Sequence, residues 1–138
     1  MPPEAATVAP GKGLRITVLI ARTLMGLLFL FGSVTYFFRL FTPPPMSGAL
    51  KVFNDGLMAS RYLLPTVKAL ELLCGLAFVA GRFVPLAAVL IAPIIVNILL
   101  VHAFLAPEGL PIAIFLFLTN GLVAYYHWDR FRGLFQAN

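Results

Sequence analysis

Four long apolar stretches govern what this chain can become: RITVLIARTLMGLLFLFGSVTYFFRLF from Arg15, YLLPTVKALELLCGLAFVA (62–80), FVPLAAVLIAPIIVNILLVHAFLA (83–106) and GLPIAIFLFLTNGLVAYYHW (109–128). Each approaches or exceeds the ~20 residues an α-helix needs to cross the hydrocarbon core of a bilayer. Apolar side chains occur all round each stretch without alternation, which argues against barrel strands. The composition agrees: 61% of the 138 residues are hydrophobic, 11% are charged, and the mean hydropathy is +0.97. A soluble domain of this size needs far more polar surface. The chain therefore reads as an all-α integral membrane four-helix bundle with spans at about 15–40, 62–80, 83–106 and 109–128, forming one domain over 14–135. Residues 1–13, rich in Pro, Ala and Gly, are expected to be a disordered cytoplasmic tail. The first stretch is too long for the core of a secretory signal and lacks a small-residue cleavage site, so it is expected to remain as a span.

The net charge of +5 does not indicate a nucleic-acid partner, because the basic residues come in ones and twos beside apolar segments. They carry topology instead. With four spans both termini share a side, which holds Lys12, Arg15, Arg82, Arg130 and Arg132, against Arg39, Lys51 and Arg61 on the other. That bias predicts cytoplasmic termini. Cys74 is the only cysteine, which rules out an internal disulfide, a dithiol couple and a thiolate-rich metal site. His127 lies at the opposite end of the bundle from His102, so one chain cannot offer two histidines to a haem, and no metal site is expected. No P-loop, dinucleotide fingerprint or HExxH occurs.

The one sizeable connection, residues 41–61, opens with Pro43-Pro44-Pro45, a stiff exit that cannot continue a helix. Beyond it Leu50, Phe53, Leu57 and Met58 share a helical face, with Lys51 and Asp55 turned away. This predicts a short amphipathic helix lying at the interface between spans 1 and 2. It reads as a membrane-hugging connector or, because Asn54 falls in its apolar stripe, as a lid.

The second span poses the chemical question, since it contains both Lys68 and Glu71. An insertion scale puts each such charge at about +2.5 to +3.5 kcal/mol at a helix centre. The nine Leu, Val and Phe residues of that span return only about −3 to −5 kcal/mol on the same scale. Being three apart, the two ions share a face and can pair. Intramembrane ionisable groups face a bundle interior or a wet cavity. At 1.5 Å per residue, Glu71, Asn97 and Asn120 fall at similar depths, with Lys68 and His102 shallower, and Arg22 approaches from the cytoplasmic half. These six residues form the candidate ligand-binding layer, with Glu71 and His102 as candidate proton-handling groups. Each also has a plainer reading: Asn97 and Asn120 as interhelical glue, His102 as a half-wet helix end, Arg22 as a snorkelling cation, and Lys68–Glu71 as a structural pair. On a regular helix Asn97 and His102 lie about 140° apart, so both face inward only if distortion at Pro93 propagates.

The segments ARTLMGLLFLFG, PPPMSGALKVFNDGLMASRYLLPTVKALELLCG, GRFVPLAAVLIAPIIVNILLVHAFLAPEGLPIA and the closing FRGLF resemble the DoxX family of small four-helix bacterial membrane proteins. The Lys-x-x-Glu of Lys68 and Glu71, Gly75, the Arg82–Pro85 turn, and the Asn97 and His102 of VNILLVHAF carry the specific likeness. The resemblance implies a quinone-linked or redox-associated membrane subunit, an accessory part of an oxidoreductase assembly with a bound quinone and a soluble or membrane redox partner. Many relatives place Asn and Lys near the outer end of the first span, where this chain has Ser33-Val34-Thr35-Tyr36. A partner-anchoring scaffold, a homo-oligomer and a small-molecule transporter are the competing expectations.

Overall fold

The computed structural model describes residues 11–137. Six α-helices occur among them: α1 (Lys12–Phe37), α2 (Gly48–Ala59), α3 (Leu63–Ala80), α4 (Val84–Phe104), α5 (Leu110–Tyr126) and the short α6 (Trp128–Phe131). Four segments are long and apolar enough to cross a membrane: α1, α3, α4 and Pro107–Tyr126, in which a 3-10 turn at Pro107–Gly109 leads into α5. Most of the expected tail lies outside the described residues, but its last two positions, Lys12 and Gly13, already belong to α1.

The long helices run up, down, up and down, so α1 begins and the chain finishes at the same end, here called the terminal end; the loop end is opposite. Sequence neighbours are spatial neighbours, and α5 closes the ring against α1. The tightest pairing is α1 with α3, where two glycines let the backbones approach. A Cβ built on Gly26 would lie 3.0 Å from the Gly75 carbonyl oxygen, and one built on Gly75 would lie 3.0 Å from that of Gly26. Small residues at a crossing are how membrane helices gain close packing, because lipid is as apolar as leucine and supplies no hydrophobic drive. Met25, Phe78, Ile91, Ile95 and Val123 fill the centre, while a shell of exposed Leu, Ile, Val and Phe faces outward. An exterior this apolar is suited to acyl chains and not to water. The chain is a multi-pass membrane protein.

The end of the first span and the burial of the connecting helix depart from the sequence reading. α1 ends at Phe37, not near residue 40, because Arg39 adopts a left-handed conformation (φ 52°). The Arg39 N–H then donates to Tyr36 O (3.3 Å) and the Leu40 N–H to Thr35 O (3.1 Å). This is the Schellman closure that glycine usually serves. In α2, Leu50, Phe53 and Leu57 are half-buried, but Met58 of the expected apolar face is exposed, and no residue of that helix is fully buried. α4 continues through Pro93.

Candidate functional site

The paired charges in α3 are the centre of the site. Lys68 Nζ donates to Glu71 Oε2 at 2.9 Å, and the side chains are 23% and 7% exposed. Helical spacing of three puts them on one face, and that face turns toward α1. Gly32 of α1 leaves room for them: a Cβ there would lie 3.8 Å from Lys68 Nζ and 3.9 Å from Glu71 Oε2. Glu71 is thus nearly sealed, and Lys68 is the member that reaches open space.

That space is a cleft of about 870 Å³ at the loop end, between the last turns of α1, the segment leaving it, the end of α2 and the start of α3. Its polar lining residues are Thr35, Tyr36, Arg39, Thr42 and Lys68. Phe37, Phe41, Pro43, Met58 and Pro65 are the larger apolar ones. Thr35 Oγ1 donates to Phe31 O at 2.7 Å and lies 3.1 Å from Gly32 O, so its hydroxyl proton is committed within the helix and its lone pairs remain for a donor. Lys68 is neutralised by Glu71, whereas Arg39 has no ion-pair partner among the described residues. The cleft therefore has one uncompensated positive charge beside aromatic walls, which suits an amphiphile with an acceptor-rich or anionic head.

The other expected members of the layer lie elsewhere. Asn120 is buried and donates to Ala88 O at 3.1 Å, tying α5 to α4 in the half nearer the terminal end, with its Oδ1 left without a partner. Asn97 is exposed on the outside of the bundle. It follows the fully buried Ile95 by two residues, or about 200° around the helix, and the proline does not rotate it inward. His102 folds over the α4–α5 turn, with Nδ1 3.0 Å from Ala106 O, a contact in which the ring nitrogen must donate. Its ring rests on Gly109, where a Cβ would come within 2.3 Å of it. Arg22 does not approach Glu71. It lies ten residues before Gly32, about 15 Å along the helix, and its guanidinium rests instead by Gly81, 3.1 Å from where a Cβ would sit. The layer rests on distance along each helix, which carries no information about direction around it.

The lid expectation receives only partial geometric support. α2 borders the cleft through Met58, but Asn54 spends its amide on Met58 Sδ within the same helix, at 3.7 Å. Lys51 and Asp55 pair on the exposed side at 2.6 Å.

Sequence reasoning missed Arg39, Thr35, Tyr36 and Thr42. A signal existed for Arg39: an arginine directly after aromatic residues and shortly before three prolines must close a helix and turn. At the terminal end, His127 caps α5. Burial, then the positive charges of Arg22 and Arg130, hold its pKa below the ordinary value. Among the described residues no group of three His, Cys, Asp or Glu side chains could hold a metal ion.

The family model of DoxX matches residues 17–103, more than half of the chain. Comparison with curated proteins and with solved structures gives no match.

Proposed function

This chain belongs to the DoxX family, and from that premise we propose that it is a quinone-linked membrane subunit whose loop-end cleft holds the quinone head. The observation that supports this most is that Lys68 and the left-handed Arg39 both line one cleft with aromatic residues. A non-glycine residue at positive φ costs of order 1 kcal/mol, and such strain clusters where a side chain has work to do. Here the strained residue is an arginine that lines the cleft, while Glu71 holds the Lys68 ammonium in place. Both are donors, as a pair of quinone carbonyls requires. The apolar lining residues of the cleft are suited to the ring, and the exposed apolar exterior to an isoprenoid tail. A quinone would supply two-electron, two-proton chemistry. The chain's own part is to bind and orient the head and to keep positive charge beside it, with Lys68 and Glu71 sharing a proton-exchangeable contact. Electrons require a redox partner protein. His102 is committed to the α4–α5 turn and is not assigned a proton-handling role.

The reading puts the protein in a bacterial inner membrane, as the family resemblance implies, with the termini in the cytoplasm and the cleft in the outer leaflet on the strength of the five-to-three distribution of basic residues. Reporter fusions at residue 138 and within residues 44–48 test the orientation.

Titration of the purified protein in detergent with a short-chain quinone is the direct test. Arg39→Gln and Lys68→Met are each expected to weaken binding about tenfold, the value of one charge-assisted hydrogen bond. Unchanged affinity in both variants would remove the reading. The competing reading, a scaffold in which the pair is purely structural, is favoured by one fact: each ion has its counter-ion on the same helix, at 2.9 Å. Exchanging the two residues, Lys68→Glu with Glu71→Lys, separates them. A scaffold keeps its stability and its partner after the swap, whereas a quinone site loses affinity.

A further inference from the structure

Asn97 is out of place where the structure puts it. It lies in the middle of α4, about 20 Å along the axis from Val84 and about 10 Å from Phe104, on the outer face of the bundle. Its carboxamide, with two N–H donors and an acceptor oxygen, makes no hydrogen bond among the described residues. Acyl chains offer neither donors nor acceptors. Its side chain is too short to reach headgroups in the way lysine or arginine does.

The hydroxyls of the spans avoid this difficulty. Thr17, Thr23 and Thr66 each donate to the carbonyl four residues back, at 2.9, 2.8 and 2.7 Å. Asn97 has no such internal solution. Its surroundings are equally specific. The exposed stripe on α4 runs Leu86, Leu90, Pro93, Asn97, Leu100 and Phe104, with steps that alternate between four and three residues. That is the seam of a two-helix coiled coil, and a single asparagine at one seam position is a device that fixes partner and register.

We propose that two copies of this chain associate through α4, with Asn97 of each hydrogen-bonding Asn97 of the other across a two-fold axis. A carboxamide is its own complement under two-fold symmetry, since the donor of one meets the acceptor of the other. The Leu86–Phe104 stripe packs on either side. The quinone reading neither requires nor supplies this contact, because the cleft is built from α1, α2 and α3.

The test uses the full chain, labelled with donor or acceptor dye at the N-terminus and reconstituted into phosphatidylethanolamine–phosphatidylglycerol vesicles, with energy transfer followed as lipid dilutes the protein. Association that rises with protein-to-lipid ratio is expected. Asn97→Leu should weaken it about tenfold, consistent with the loss of reciprocal interhelical hydrogen bonds. Asn97→Gln should retain most of it, and Leu118→Ala, on the exposed face of α5, should leave it unchanged. Leucine on a lipid-facing surface does not threaten folding, and helicity by circular dichroism verifies that. Wild-type protein that stays monomeric through the dilution series would overturn the proposal. So would Asn97→Leu associating as wild type does.

Discussion

The bundle handles two intramembrane cations in opposite ways. Lys68, near the loop end, is neutralised by a carboxylate one helical turn along its own helix, at 2.9 Å. Arg22, on α1, has no carboxylate partner among the described residues and lies at the level where α3 ends at Gly81 and α5 ends at His127. Its Nε is buried without a partner among the described residues, while the guanidinium tip reaches the left-handed cap of α3, at the negative end of that helix dipole. Lysine at depth needs a counter-ion supplied by the fold. Arginine near a rim needs only a route to helix-terminal carbonyls and headgroups. One charge is therefore coupled to a partner, and the other to a location.

The comparison breaks most visibly if Glu71 is neutralised. Glu71→Gln leaves Lys68 unpaired in a largely buried setting and is expected to cost about 3 kcal/mol in a detergent unfolding experiment. The double variant Lys68→Met/Glu71→Leu should recover nearly all of that loss, because an apolar pair has no desolvation penalty. Failure of the double variant to recover would mean that the pair is more than mutual neutralisation. Next in size is Gly75→Ala, expected to cost about 1–3 kcal/mol, since its Cβ meets the Gly26 backbone oxygen and the helices must separate. It scales the packing that holds Glu71 against α1.

Arg22→Gln is expected to change stability by no more than about 1 kcal/mol, as for a rim residue. A loss as large as that of Glu71→Gln would collapse the distinction drawn between the two cations. The same substitution should raise the pKa of His127, because the Arg22 charge is one of the causes that lower it. Proton NMR of the imidazole reads this directly. The smallest effect is on pH. His127 has a folded pKa below the unfolded value near 6.5, so the unfolded state takes up the proton first as pH falls. Stability from this group is complete above about pH 6.5 and is lost as pH drops toward the folded value, and His127→Gln should flatten that dependence.

Much of the architecture was legible because length and polarity are one-dimensional quantities. Twenty apolar residues make a span whatever surrounds them, and Lys68 and Glu71 can pair because helical geometry puts residues three apart on one face. The polar layer was not legible for the complementary reason. Asn97, Asn120, His102 and Arg22 were placed by depth, but contact also requires direction around the helix, and a moment-poor apolar helix such as α4 gives little indication of which side faces in. Arg39 was overlooked because its importance follows from a left-handed turn and not from its position in a span.

The amino-acid sequence by itself determined that this chain has four membrane-spanning segments, that its helices form an up-and-down bundle, and that two opposite charges able to pair lie within its second span. Backbone hydrogen bonds cannot be left open in hydrocarbon, so apolar length dictates helices and short connections dictate their order. Only the tertiary structure decided which polar groups meet. Rotation of each helix about its axis is set by side-chain packing such as the Gly26–Gly75 crossing, and that packing turned Glu71 inward, left Asn97 outside, and opened the cleft beside Lys68 and Arg39.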